Sequence, residues 1–278
     1  MDNFIINVNS EFSDQTKYST SNFVYHLDEE IKNIIYIKVG SIELPTTNYQ
    51  FLSTKANISF VIGSSSSSKA TVTIEEGNYI PSTLVTKIEN KLATINSSLG
   101  TNLEISLDSI SNKITFKNNS NLYLNFENTD VGYGSLGAHL GFTENTYFNS
   151  GTQTYTAENI INLGAPKYYF LKINEIDNIQ DYFVKNAFAK ILKTTGDFDY
   201  SIEGYGDYTT KAKVFRNPIN LNRLEIQLVD YRDNIVDLNG SHLSFTLEVG
   251  YIYDKKLYEE ISNKGIPSGD TRTKFFFN

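Results

Sequence analysis

The stretch "LEIQLVDYRDNIVDLNGSHLSFTLEV", residues 224–249, decides the fold class. Leu224, Ile226 and Leu228 alternate with Glu225 and Gln227. Leu243, Phe245, Leu247 and Val249 alternate with Ser244, Thr246 and Glu248. A strand sends successive side chains to opposite faces, so each run buries one face and wets the other. Asp233-Asn234 and Asn239-Gly240 punctuate the segment, and Asn-Gly tolerates the positive φ of a tight turn. The pattern predicts a pair of antiparallel strands with a short edge piece, Ile235 to Leu238, between them. The segment carries no cysteine, nucleophile or phosphate loop, so a wall is expected here and not a reaction centre.

The rest of the chain extends this reading. Phe4, Ile6 and Val8 predict a first strand, Phe23, Tyr25 and Leu27 a second, and Ile35, Ile37 and Val39 a third that Pro45 ends by removing a ladder donor. "NISFVI" (57–62) is a further strand, followed by the polar run "GSSSSSK" (63–69), which reads as a hairpin tip or as a domain hinge. Next comes a mixed pattern. "ATVTIEEGNY" is strand then turn. In "PSTLVTKIENKLATIN", Leu84, Val85, Ile88, Leu92 and Ile95 fall at helical spacing, with Pro81 at the start and Ser82 or Thr83 as candidate caps. "LEISLD" and "KITFK" predict a hairpin, and "LYLNF" another strand. From about 155 the chain returns to sheet with "KYYFLKIN", 187–193 and 211–216, and Pro218 is read as a turn before the last strands.

The expected architecture is therefore all-β: a jelly-roll sandwich built from N- and C-terminal parts, with an inserted small α+β (β-α-β-β) subdomain. The expected divisions are 1–68, 69–154, 155–253 and a C-terminal tail, 254–278. Neither end alone has enough strands to close a sandwich, whereas together they supply about eight, the jelly-roll number.

Composition narrows function. The chain has 278 residues with 24 basic and 32 acidic side chains, a net charge of −8 that opposes contact with phosphate backbones, so no direct nucleic-acid binding is expected. The absence of cysteine excludes disulfides, thiolate metal sites and cysteine nucleophiles, and favours synthesis in a reducing compartment. No apolar run approaches the roughly 20 residues that span a bilayer as a helix, so no transmembrane segment is expected. The alternating "MDNFIINVNSEF" reads as a strand and not as a signal peptide.

Four features carry possible chemistry. "GYGSLG" (132–137) fits G-x-G-x-x-G but lacks the strand–helix setting of a dinucleotide site, and reads as a loop in which glycine permits close backbone approach. His26, His139 and His242 are scattered without ligand spacing. "TTGDFDYSIEGYGDY" (194–208) is a solvated loop, a ligand loop for a glycan through Asp199, Tyr205 and Asp207, or a glycosidase pair through Asp199 and Glu203. Phe275, Phe276 and Phe277 form an apolar tip, costly to expose, that folds back on its own domain or docks on a neighbour. No catalytic residue, cofactor or metal is expected.

The order of motifs resembles a known family. "INVNSEFSDQTKYSTSNFVYHLDEEIKNIIYIKVGSIELP" (6–45), "EEGNYIPSTLVTKIENKL" (75–92), "LGF" (140–142) and "LVDYRDNIVDLNGSHLSFTLEV" (228–249) resemble landmarks of minor capsid and penton-type jelly-roll proteins of large icosahedral (nucleocytoplasmic) DNA viruses, giant viruses among them. The tail after 254 has no counterpart. The resemblance implies a structural subunit of an icosahedral capsid, made in the host cytoplasm and located in the virion. Its partners would be other capsid proteins and copies of itself, a pentamer if it is the penton, and it brings no catalytic residues. The alternative is a glycan- or receptor-binding spike or fibre-like module working through the 197–208 loop.

Overall fold

The structure is a computed structural model that describes residues 2–14, 16–127, 133–164, 166–174, 176, 178–203, 211–253 and 256. In chain order the described elements are β1 (Asp2–Asn9), β2 (Asn22–Pro45), β3 (Ser59–Gly63), β4 (Lys69–Thr73), α1 (Pro81–Leu99), β5 (Glu104–Leu107), β6 (Ile114–Lys117), β7 (Tyr123–Asn125) and α2 (Leu136–Leu140). They continue with β8 (Thr146–Tyr147), β9 (Thr154–Thr156), β10 (Tyr168–Ile173), β11 (Ala189–Leu192), β12 (Tyr200–Glu203), β13 (Ala212–Val229) and β14 (Ser244–Tyr251). The fold is all-β and jelly-roll-like, with antiparallel curled sheets and few helices. The chain divides into two compact units, one made of 1–48 with 166–278 and the other of 49–165.

The first unit is a seven-stranded sheet in the order β1-β14-β2-β13-β10-β11, with β12 also on β2. Every pairing in it is antiparallel. The two runs of the 224–249 stretch form strands, as their alternation predicts, but they do not pair with each other. Each pairs with β2, β13 on one edge and β14 on the other, so the N-terminal strand lies between the two C-terminal ones. Asn239 and Gly240 do turn the chain with φ of 49° and 79°, yet the turn sits in a 14-residue excursion (230–243) that carries the chain past β2. Ile235 makes a single bridge with Val229.

Long strands replace pairs of short ones, because bulges let one strand change direction without ending. The second and third expected strands are a single strand, β2. Against β14 it carries an extra residue between Ile34 and Tyr36 and another between Val39 and Ile42. Each extra residue reverses which side chains face inward. Core positions therefore run Ile34, then Ile37 and Val39, then Ile42 and Leu44, the parity changing at each extra residue. Asn33, at φ 55°, marks the first irregularity, and its N–H donates to Asn220 Oδ1 at 3.0 Å. Pro218, expected at a turn, lies inside β13 where the ladder with β2 breaks between Val214 and Ile219. No donor is needed there, so proline is tolerated.

The core of this unit draws on both ends of the chain: Ile6, Val8, Phe23, Ile37 and Ile42 pack with Leu171, Phe188, Leu224, Ile226, Phe245 and Leu247. Burying each such side chain is worth about 1.5–3 kcal/mol. On the other face of the β2–β14 seam, Lys38 lies opposite Glu248 with Nζ 3.6 Å from Oε2, and Tyr36 Oη donates to Glu248 Oε1 at 2.7 Å. The Tyr36 ring covers Gly250 so closely that a Cβ there would lie 2.0 Å from Cε1.

The second unit holds a four-stranded sheet, β4-β3-β7-β8, and a three-stranded sheet, β5-β6-β9. The expected boundary at 68/69 falls inside the β3–β4 hairpin. Strand β3 belongs here because it pairs with β4 and β7, so the unit begins at 49 and extends to 165 instead of 154. Helix α1 buries Leu84, Val85, Ile88, Leu92 and Ile95, the five residues its spacing selects. Pro81 opens the helix, but no side chain caps it; the cap position is Ile80, and Ser82 and Thr83 lie within the helix. Phe60, Phe116, Phe126 and Phe142 form the aromatic centre of this core, with the Phe126 and Phe142 rings stacked at 4.9 Å.

Candidate functional site

In the 194–208 segment, Asp199 is exposed and locally engaged. Its backbone exchanges hydrogen bonds with Thr46 (Thr46 N to Asp199 O at 2.8 Å, Asp199 N to Thr46 Oγ1 at 3.0 Å), and its carboxylate accepts from Tyr200 N at 2.8 Å. Asp197 pairs with Lys193. Tyr205 and Asp207, the other members of the candidate ligand loop, lie outside the described residues. Glu203 ends β12, four residues beyond Asp199, and its side chain lies outside the described residues. Phe275, Phe276 and Phe277 also lie outside the described residues.

The "GYGSLG" run is a helix start of another kind. Ser135 accepts from Ala138 N at 3.2 Å and caps the five-residue α2. Gly137 packs against the Phe126 ring, where a Cβ would come within 2.2 Å of Cγ. The glycine thus serves close packing.

The three histidines occupy separate elements. His26 is exposed on β2, opposite Arg223. His242 Nδ1 lies 3.5 Å from Ser10 Oγ. His139 stands edge-on to Phe51 with centroids 5.1 Å apart, and its Nδ1 is 3.1 Å from Asn162 O. Burial holds its pKa below the ordinary imidazole value, so the neutral ring, donating to that carbonyl, is the form the site prefers. Among the described residues no three His, Cys, Asp or Glu side chains are grouped to hold a metal ion.

What the first unit does present is surface that faces solvent and carries apolar side chains. Tyr200 and Ile202 occupy alternate positions of β12, so they share a face, and they are 50% and 68% exposed; Phe198, 63% exposed, lies in the turn before the strand at φ 63°. Ser201, between Tyr200 and Ile202, is buried, and its Oγ donates to Leu192 O at 2.9 Å, which fixes the strand against β11. β12 pairs with the C-terminal end of β2, from Ile42 to Pro45. Contiguous exposed apolar surface of this kind marks an interaction site more often than isolated exposed residues do. The alternation of 200 and 202 was available in the sequence, hidden under the more conspicuous acidic and tyrosine pattern of the same segment.

A second surface feature lies at the other end of β2. A groove of about 850 Å³ runs between Phe4 to Asn7 of β1 and Tyr25 and Leu27 to Asn33 of β2, with Tyr251 to Tyr253 at its end. A shallower depression of about 350 Å³ lies in the second unit beside α1 and β5. Among the described residues no helix is long and apolar enough to cross a membrane.

A sequence-family profile described as "Family of unknown function (DUF5901)" matches residues 1–196, and the chain belongs to that family. Comparison with curated proteins gives no match. Among solved structures, the crystal structure of the selenomethionine-labelled mavirus penton protein is similar at 11% identity and a TM-score of 0.47, over 91% of this chain and 100% of that one.

Proposed function

We propose that this member of a family of unknown function is a structural subunit of an icosahedral virus capsid, a penton or minor capsid protein, that works through its surfaces and catalyses no reaction. The observation that carries the reading is the first unit itself. It is a jelly-roll-like sheet closed by both ends of the chain, with Tyr200 and Ile202 exposed on a strand that pairs with β2 and Phe198 exposed in the turn before it. The sequence landmarks at 6–45, 75–92 and 228–249, which resemble capsid subunits, support it independently. Edge strands and exposed apolar faces are the parts of a sheet that join a neighbour, by added ladder hydrogen bonds or by burial. A head-to-tail contact between identical copies closes into a ring when its rotation permits, and five copies would make a penton.

The test has two parts. The purified full chain is sized by light scattering over a concentration series, and its position is sought in a map of purified particles. The expected result is concentration-dependent assembly, weakened at least tenfold by Phe198→Ser/Ile202→Ser, together with density for the chain in the shell. A strict monomer at every concentration, absent from the particle, would overturn the reading.

A further inference from the structure

We propose that the open edge of β1 pairs antiparallel with the same edge of a second copy of this chain, about a twofold axis at Ile5. The contact is twofold, unlike the head-to-tail contact of the proposed ring, and it stands or falls separately from the capsid reading.

β1 is the terminal strand of its sheet, paired only with β14 among the described strands. One bond sets the phase of that ladder. Ser10 N donates to Leu243 O at 2.9 Å, and these two residues continue the β1–β14 register. Along an antiparallel strand, the residues whose backbone groups bond one neighbour alternate. Phe4, Ile6 and Val8 therefore turn their N–H and C=O to β14, and Asn3, Ile5 and Asn7 turn theirs to the open edge. Asn3 N donates to Asp2 Oδ1 at 2.9 Å, an exposed local bond that a ladder bond can replace.

The edge carries none of the features that block strand addition. Natural edges are guarded by charges, prolines or bulges, and unguarded ones accept a further strand. From Asn3 to Asn9 there is no charged residue and no proline. The register with β14 runs through all eight residues of β1 without a shift. Asn3, Phe4, Ile5 and Asn7 are exposed, Phe4 by 52% and Ile5 by 56%.

The strand is complementary to itself. "NFIIN" (3–7) has the same order of polar and apolar residues in both directions about Ile5. Antiparallel pairing on that centre sets Ile5 against Ile5 of the second copy, Asn3 against its Asn7, and Phe4 against its Ile6. The first two pairs join residues that carry open backbone groups, so each exchanges two hydrogen bonds. The third covers the exposed Phe4 with a β-branched side chain, a favourable cross-strand pair. Charge permits the approach. The chain has a net charge of −8, yet Asp2 falls opposite Val8 of the second copy and no two carboxylates face each other along the strand. A patch that matches itself is what a twofold contact requires.

The absence of native cysteine allows a direct test on the full chain, at micromolar and at millimolar concentration. Cα atoms of a hydrogen-bonded pair are about 5.5 Å apart, within the roughly 4.4–6.8 Å that a disulfide spans. Ile5→Cys alone, and Asn3→Cys mixed with Asn7→Cys, should therefore give covalent dimers with a short bifunctional thiol reagent. Asn3→Cys alone is the control, because its two cysteines would lie more than about 13 Å apart. The expected yields are at least ten times the control and rise with concentration. Yields equal to the control would overturn the proposal. Hydrogen exchange supplies a readout without cysteine. The amides of Ile5 and Asn7 should exchange at least tenfold more slowly at the higher concentration. Ile5→Lys sets like charges opposite each other and should remove that protection, and an equal mixture of Ile5→Lys with Ile5→Glu should restore it. Exchange that does not change with concentration, or protection that survives Ile5→Lys, would contradict the proposal.

Discussion

The two units are made of similar strands connected in opposite ways. In the second, β3 meets β4 across a short serine turn and β5 meets β6 across another, and all of its partners come from 49–165. In the first, Asp2 pairs with Tyr251 and Asn9 with Ser244, while β2 takes its neighbours β12, β13 and β14 from residues 200–251. Closing a longer loop costs more conformational entropy, and pairing across long separations slows folding. The second unit has all its strands once residue 165 is made. The first cannot build its central sheet until residues 212–251 exist. The contrast teaches that in this protein a strand's pattern reports its own conformation, and its partner is set by the order in which edges are filled.

The comparison is broken most severely by a charge in the shared core. Leu247→Asp puts a carboxylate where Leu247 is fully buried, at a cost above about 4 kcal/mol, and should unfold the first unit alone. Limited proteolysis should then leave a protected fragment spanning 49–165, with helical circular dichroism retained; loss of that fragment would show that the units do not fold separately. The reciprocal change, Leu92→Ala, opens a cavity beneath α1 and should cost about 2–5 kcal/mol. Hydrogen exchange should place that loss within 49–165 and leave the β2–β14 amides protected.

Smaller effects sharpen the seam. Gly250→Ala forces the Tyr36 ring away and should cost about 1–3 kcal/mol by urea unfolding, with most of the cost relieved in a Tyr36→Ser background. Glu248→Gln should cost about 1 kcal/mol at pH 7. The Tyr36 hydroxyl first, and Lys38 after it, hold the Glu248 carboxyl below the ordinary value of 4.5. A carboxyl lowered by folding contributes stability above its unfolded pKa and loses it as pH falls through the folded one. The difference between wild type and Glu248→Gln should therefore be full at neutral pH and be lost as pH falls below 4.5 through the lowered folded-state value.

Much of the fold was legible locally. Leu84 to Ile95 announced the helix, and Leu243 to Val249 announced β14 by strict alternation. The joining of both ends into a sheet followed from too few strands at either end. What stayed illegible has physical causes. The extra residues in β2 at 35 and near 40 shift the inward phase, so one continuous strand looked like two. Pro218 looked like a turn because proline normally excludes a ladder, and only the break opposite it admits one. Strand β12 was hidden because Tyr200 and Ile202 face solvent, reversing the usual relation between apolar pattern and burial. The same reversal makes that surface a candidate interface. Nothing in the local sequence could place the groove, since its walls come from strands that are not neighbours in the sheet.

The central claim is that β2 is held between β13 and β14 as one cooperative body, apart from the 49–165 unit. Native-state hydrogen exchange of the intact chain in rising urea tests it most directly. Amides of 34–44, 221–229 and 244–250 should merge into a single opening with one free energy and one urea dependence, while those of 84–95 and 114–117 follow a different one. If 34–44 opened at its own lower free energy while 221–229 and 244–250 stayed closed together, the two C-terminal strands would not need the N-terminal one between them, and the account would be contradicted.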